Sequence, residues 1–419
     1  MELTKDQKVT FDHVMVELGA TKTSSMFLPS FQYTTVGGYA GTGKTFLISI
    51  LRQELYNQWN HLKVAFATFT GKACSVLQVK LNENNSIFPK DSCSTIHRLM
   101  YIPEFGYDKK SKKKVITKWV RKKELECNLI IIDEASMVSR TLWNDLLEYN
   151  VPIIAVGDHG QLPPIEDNDH NKFSFNLMEK PKYLLNEIKR QALENPIIRL
   201  SQDVRNGKEI PIGPYDENNP SAAFNLKWKS KSCDNMWDKI DFSDDDIITI
   251  CGTNETRVLV NNKIRNKLGF IRPEPYPGER VIFLKNNYDS KVFNGMLGKV
   301  LVLMYEAKNI YDMTIQPDDY ENPFAGLVYN GCFGKEKYDD FHTELQNYKY
   351  IKIIKESEYG SIDVCDFGYC ITTHKSQGSE FSKVVCFDEK DRFGQGEMFR
   401  RRWLYTAVTR AKEKLFLIT

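Results

Sequence analysis

The 419-residue sequence has almost no net charge of either sign: 57 lysines and arginines stand against 55 aspartates and glutamates. A globally basic nucleic-acid binder is excluded and net charge says little else about partners, so any polyanion surface must come from local patterning. Long apolar runs are missing too. No stretch approaches the length of a membrane span and no leader-peptide pattern is visible, so a soluble protein with no membrane partner is expected. The nine cysteines (Cys74, Cys93, Cys127, Cys233, Cys251, Cys332, Cys365, Cys370 and Cys386) include no C-x-x-C and no cysteine–histidine pairing at metal spacing. They read as reduced core residues of a cytosolic protein rather than a zinc site or disulfide framework. What is present is length, enough for two or three domains.

One local pattern stands out. Gly38-Tyr39-Ala40-Gly41-Thr42-Gly43-Lys44-Thr45 fits G-x-x-x-x-G-K-[ST], between a β-prone run (Gln32 to Val36) and a helix-like run from Phe46 to Trp59. Glycines at 38, 41 and 43 let the backbone curl so that N–H groups point at a phosphate chain beside a helix N-terminus. Lys44 is placed to reach the β- and γ-phosphates of a nucleotide and Thr45 to ligate Mg²⁺. Further on, Leu129-Ile130-Ile131-Ile132 reads as a buried parallel strand ending in Asp133 and Glu134. Asp133 suits the metal and Glu134 the attacking water, which favours hydrolysis over binding alone. A second such strand, Pro152 to Val156, leads into Gly157-Asp158-His159-Gly160-Gln161, where Gln161 can sense the terminal phosphate.

Between these anchors lie polar and basic segments. Gln7, on an N-terminal helix pattern, has both donor and acceptor for an adenine edge. Thr70 and Lys72 follow the strand-like run Val64 to Ala67; they either meet a phosphate backbone or simply open a solvated helix. Thr95 and His97 offer similar contacts, although a satisfied histidine is the default for His97. From Lys109 to Lys123 there are nine basic residues and no acidic one, with Lys112 near the centre. Phe105, Tyr107 and Trp119 interleave with them, the mixture that tracks a single strand and offers faces to bases. A basic β-hairpin at 100–126 is predicted there.

Near residue 185 the pattern restarts. A helix-like segment from Pro196 ends at Arg205-Asn206-Gly207, and a new buried strand, Asp246 to Cys251, precedes Thr253, Asn254 and a helix. Residues 277–365 change to short strands with turn signals, a small β-barrel inserted in a second α/β unit. The unit resumes with Thr373, His374, Lys375, Gly378 and Glu380, then a helix over Arg400 to Arg410 and a closing strand. Arg190 and Arg410 each bound an element of this unit and could supply charge to phosphoryl transfer across a cleft.

Taken in order, the phosphate loop, the Asp-Glu strand end, Gly-Asp-x-x-Gln, His-Lys-Ser-Gln-Gly-Ser-Glu-Phe and Tyr-Thr-Ala-Val-Thr-Arg resemble the superfamily 1 DNA helicases, in particular the RecD-like branch and the compact phage Dda helicases. The motifs run from Gln7 to Arg410. The resemblance implies two RecA-like parallel-sheet cores (1–184; 185–276 with 366–419), with a basic strand-separating hairpin in the first and an SH3-like barrel (277–365) in the second. It implies ATP and Mg²⁺ as cofactors, held by Gln7, Gly38, Ala40, Gly41, Thr42, Gly43, Lys44, Thr45, Gly378 and Glu380, with Thr45 and Asp133 on the metal. Lys44, Asp133, Glu134, Gln161 and the arginine fingers Arg190 and Arg410 take the catalytic roles. Thr70, Lys72, Thr95, His97, Thr253, Asn254, Thr373, His374 and Lys375 fall on or beside DNA-contacting motifs, and Phe105, Tyr107, Lys112 and Trp119 on the hairpin. One departure is Phe69, where the family usually has proline, which changes how a base stacks beside Thr70.

The implied activity is 5′→3′ translocation on single-stranded DNA and unwinding of forked or tailed duplex in replication, recombination or repair. A monomer is expected, with a single-strand-binding or other replication protein as partner, in the cytoplasm, or the host-cell cytoplasm if the chain is of phage origin. The alternative is a single-strand-binding ATPase that remodels protein–DNA complexes, or acts on RNA, without processive unwinding. A small-molecule kinase would explain only the loop, and a binding module without a motor would leave Glu134 idle.

Overall fold

The computed structural model describes residues 2–20, 27–107, 114–164, 175–285, 287, 292–307, 309–318, 322–337, 353, 361–389 and 396–419, with backbone alone at 103–107, 114–119 and 190–191. Two compact units emerge: residues 1–104, 119–209 and 401–409 in the first, and 105–118, 210–400 and 410–419 in the second.

Through residue 209 the chain runs α1 (Lys5–Glu17), β1 (Tyr33–Gly38), α2 (Lys44–Gln58), β2 (Val64–Thr68), α3 (Gly71–Glu83), β3 (Ser92–Thr95), α4 (Ile96–Met100), β4 (Tyr101–Tyr107), β5 (Lys114–Arg121), β6 (Leu129–Ile132), α5 (Arg140–Leu147), β7 (Ile153–Gly157), β8 (Tyr183–Leu185), α6 (Arg190–Leu193) and α7 (Pro196–Arg205). Six strands form one parallel sheet in the order β3-β2-β6-β7-β1-β8, and β4 and β5 make a separate two-stranded sheet, the predicted hairpin. Alternation along β6 shows how the sheet is covered on both faces. Leu129 and Ile131 join the core with Leu47, Leu51 and Phe66, while Ile130 and Ile132 join the opposite core with Ile96 and Ala155. Burial on both faces explains why these strands read as continuous apolar runs.

The rest of the chain runs β9 (Gly213–Pro214), β10 (Ala223–Leu226), α8 (Lys231–Lys239), β11 (Ile247–Cys251), α9 (Asn254–Lys267), β12 (Arg280–Phe283), β13 (Leu297–Ala307), β14 (Ile310–Pro317), β15 (Phe324–Tyr329), β16 (Ile362–Phe367), β17 (Cys370–Thr372), α10 (Thr373–Ser376), β18 (Phe381–Phe387), α11 (Glu397–Val408) and β19 (Ala411–Ile418). A second sheet has the order β17-β11-β18-β19-β10-β9, parallel except for β9. Strands β12 to β16 close a five-stranded barrel around Val281, Phe283, Val300, Met313, Ile315 and Phe367. The expected two parallel-sheet cores and the five-stranded barrel in the second are found, while the hairpin, expected in the first core, has its residues 105–118 grouped with the second unit.

The expected boundaries shift. The division at 184/185 cuts through β8, whose Leu185 lies in register with Gly38 of β1, so the first sheet continues past it. The barrel extends two residues further than expected, because β16 runs to Phe367 and pairs there with Val281. Any of the short strands expected over 277–365 that fall at 338–352 or 354–360 lie outside the described residues.

Candidate active site

In a parallel sheet all strands deliver their carboxyl ends to one edge. Here β1 ends at Gly38, β6 at Ile132 and β7 at Gly157, and Gly37 lies opposite Gly157 in the ladder. The phosphate loop, Asp133 with Glu134, and the Asp158 to Gln161 turn are therefore neighbours by construction.

The loop takes the form its glycines allow. Gly41 and Gly43 have φ of 81° and 76°, and Gly43 is the N-cap of α2 with no side-chain capping bond, so the first amides of that helix keep their donors. Lys44 Nζ folds back to donate to the carbonyls of Gly38 (2.9 Å) and Tyr39 (3.2 Å). Thr45 Oγ1 donates to Asp133 Oδ2 at 3.2 Å, and Glu134 N–H to Asp133 Oδ1 at 2.9 Å. Glu134 itself sits in the left-handed region, φ 55°, a strained setting that turns the chain out of β6. A hydroxyl and a carboxylate in contact beside a phosphate loop fit Mg²⁺, which takes its remaining ligands from phosphates and water. Among the described residues no cluster of three or more acidic, histidine or cysteine side chains forms a complete protein cage.

Gln7 lies against this loop rather than standing clear of it. It is 0% exposed, its Nε2 donates to the carbonyls of Thr42 (2.8 Å) and Gly43 (3.2 Å), and its Oε1 accepts from Thr4 N–H in a capping box that starts α1. The structure thus gives Gln7 a clamp role on the loop, where the sequence suggested an adenine edge. Lys189 packs on the same spot. Its N–H donates to Gly41 O at 3.1 Å, its ammonium lies 3.7 Å from the Phe46 ring centre, and burial lowers its pKa. A Cβ on Gly43 would come within 2.6 Å of both Gln7 Nε2 and Lys189 Cε. The backbone of Arg190 opens α6, but its side chain lies outside what is described.

Gln161 is 3% exposed and its Oε1 has no hydrogen-bond partner among the described residues. An orphaned buried acceptor at the strand edge is the arrangement of a group that awaits a ligand or water. His159 beside it packs against Tyr39 with the rings tilted and their centres 4.0 Å apart, and burial lowers its pKa.

The residues expected to face nucleic acid are mostly engaged in shaping helix starts. Thr70 caps α3 through Ala73 N–H (3.1 Å), and Thr95 caps α4 through Arg98 N–H (3.3 Å). Lys72 is half-buried in the first turn of α3, Phe69 is 39% exposed, and His97 stacks on Tyr101 with its pKa lowered by burial. Lys112 and the hairpin tip are outside the described residues, and Phe105, Tyr107 and Trp119 are described by their backbone in β4 and β5 alone.

Within the second unit, Thr253 caps α9 and, with Gly252 N–H and Thr256 Oγ1, surrounds the carboxylate of Glu389. Asn254 Oδ1 accepts from Arg257 Nε. Thr373 is buried and donates to Cys251 O, burial lowers the pKa of His374, and Lys375 donates to Asn294 Oδ1. Burial, with help from nearby Arg257, lowers the Lys375 ammonium to about 8. Arg410 is buried and donates to Ser379 O at 3.1 Å, next to Gly378 with its φ of 73°, while exposed Glu380 pairs with Lys412 at 3.5 Å.

Sequence reasoning missed four groups: Lys189, Asp158, Glu389 and Tyr405. Tyr405 had one legible signal, a tyrosine in an apolar helical stripe whose hydroxyl must find a buried partner.

Two family models match: the AAA domain over residues 23–220 and the UvrD-like helicase C-terminal domain over 367–418. The ATP-dependent DNA helicase Pif1 of Campylobacter jejuni is 27% identical over 90% of this chain and 86% of its own length. The ATP-dependent RecD2 DNA helicase of Deinococcus radiodurans is 24% identical over 93% of this chain and 47% of its own. Across the four curated relatives matched along most of this chain, it spans from 36% to 86% of their length. A solved structure of two coordinating Pif1 helicases at forked double-stranded DNA superposes with a TM-score of 0.51 at 20% identity, covering 100% of this chain and 92% of that one, a likeness of fold. The two family matches fall on stretches of the two parallel-sheet cores, and together with these relatives they agree with the resemblance to the RecD-like branch of the superfamily 1 helicases.

Proposed function

We propose that this chain is an ATP-dependent DNA helicase that moves 5′→3′ on single-stranded DNA and unwinds forked or tailed duplex in replication, recombination or repair. The observation that carries the reading is the uncapped start of α2 beside Lys44 and the Thr45–Asp133 pair, in a chain of RecD-like ancestry. Lys44 exchanges its two loop carbonyls for phosphate oxygens, Thr45 and Asp133 hold Mg²⁺, Glu134 orients and deprotonates the attacking water, and Gln161 reports the terminal phosphate. Arg190 and Arg410 supply positive charge to the transition state. Thr70, Lys72, Thr95, His97, Thr253, Asn254, Thr373, His374, Lys375 and the basic hairpin serve the DNA. The direction of travel rests on the RecD-like kinship alone. We take the chain to work as a monomer in the cytoplasm alongside a single-strand-binding protein.

ATP turnover measured with and without single-stranded DNA, together with unwinding of duplexes carrying either a 5′ or a 3′ tail, tests this. Stimulated turnover and unwinding of the 5′-tailed duplex are expected. Stimulated turnover without unwinding of either duplex would favour the remodelling ATPase, and absence of stimulation would remove the motor reading altogether.

A further inference from the structure

Tyr405, on α11, is 1% exposed, and its hydroxyl joins two parts of the nucleotide site. It accepts from Ala40 N–H of the phosphate loop at 2.8 Å and donates to Asp158 Oδ2 at 2.7 Å. Asp158 Oδ1 in turn accepts from Gly160 N–H at 2.9 Å, and its carbonyl from Gln161 N–H at 3.3 Å. The next residue, Thr406, accepts from Leu162 N–H at 3.0 Å. Helix α11 therefore grips the phosphate loop at Ala40 and the chain on both sides of Gln161.

The grip has little slack. A Cβ on Gly160 would approach Tyr39 Cε1 to 2.9 Å and Tyr405 Cε1 to 3.1 Å. Burial raises the Tyr405 phenol well above its ordinary range, so the hydroxyl keeps the proton it donates to Asp158. Gln161, whose backbone N–H lies within this network, carries a buried Oε1 that has no hydrogen-bond partner among the described residues.

We propose that Tyr405 is a positioning residue for nucleotide hydrolysis: its hydroxyl fixes the phosphate loop against the Asp158 to Gln161 turn, so that the Gln161 amide is presented to the terminal phosphate and its attacking water. This deepens the ATPase reading above and rests on it. Tyr405 acts through Gln161 and touches no substrate. A hydroxyl in this place matters because a buried network that loses one member leaves its other groups unsatisfied and free to rearrange.

The test is a double-mutant cycle on ATP turnover by the full chain with Mg²⁺ and saturating single-stranded DNA. Tyr405→Phe, which keeps the ring and removes the hydroxyl, should lower kcat by about tenfold or more while KM for ATP moves by less than about threefold. In a Gln161→Ala background the same change should alter kcat by less than about twofold, since the group it positions is gone. Thr406→Val, which releases Leu162 N–H from the other side, should show the same dependence on Gln161, and decides the matter if Tyr405→Phe does not fold. Independent, multiplicative effects of the Tyr405 and Gln161 changes, or an unchanged kcat in folded Tyr405→Phe, would overturn the inference while leaving the ATPase reading intact. A wild-type chain with no turnover would remove both.

Discussion

Two helices of this molecule start in the same way and end up with opposite fates. Both α2 and α9 follow a parallel strand through a glycine-containing turn, so both present an unsatisfied N-terminus with the positive end of the helix dipole. At α9 the chain fills its own site: Thr253 caps the helix, and the Glu389 carboxylate takes the N–H groups of Gly252 and Thr253 and the hydroxyls of Thr253 and Thr256. At α2 the N-cap is Gly43, which has no side chain to cap with, and the lysine beside it is parked on loop carbonyls. A terminus capped in this way already holds its anion. A glycine-capped terminus with a neighbouring lysine is held ready for an anion from outside.

The largest effect that tests this contrast is at α2. Lys44→Ala should lower ATP turnover by at least about a hundredfold, on the scale of removing one charge-stabilising donor, with much of the single-strand binding retained. Full turnover in that variant would end the assignment of the loop. Gly43→Ala should come next. It imposes a left-handed φ on a residue with a Cβ, about 1–2 kcal/mol, and drives that Cβ into Gln7 and Lys189. Nucleotide affinity, measured by titration, should fall about tenfold or more for this combined strain and clash.

A third prediction concerns Lys375. Its ammonium is charged below about 8 and neutral above, so single-strand affinity should weaken severalfold between about pH 7 and pH 9. Lys375→Arg should flatten that profile, and a profile that is flat in the unaltered chain would take Lys375 out of the DNA-binding set. The sign for stability is opposite. The unfolded chain keeps this proton up to the ordinary value of 10.5, so the lysine's burial penalty fades, and folding becomes more favourable, as pH rises from about 8 towards that value.

The smallest effects belong to α9. Thr253→Val should cost about 0.5–2 kcal/mol of stability as a lost cap, and Glu389→Gln about 0.3–1 kcal/mol as a lost charge at the dipole. Both are read by denaturant melts, with DNA-free ATP turnover unchanged. A collapse of that turnover in either variant would mean that the two helix starts are not the separate devices described above.

Much of this was legible because it is local. The runs Val64 to Ala67, Leu129 to Ile132 and Ile247 to Cys251 became the buried strands β2, β6 and β11 because a parallel sheet covered on both faces admits little but apolar side chains. The barrel was legible only in outline. Its strand β15, Phe324 to Tyr329, lies in an acidic and aromatic stretch with no clear alternation, and it is a strand because β14 and β16 pair on either side of it. The boundary near 184 misled because β8 is a three-residue strand whose place in the first sheet depends on pairing with β1, a partner far away in sequence.

The sequence by itself determined the phosphate loop, since glycine conformations, a lysine and a threonine in that spacing encode the curl and its chemistry within eight residues. Tertiary structure decided how that loop is held. Gln7 became its clamp and Tyr405, 365 residues from Ala40, its tie to Gln161, because buried donors and acceptors must be paired and only chain closure selects the pairs.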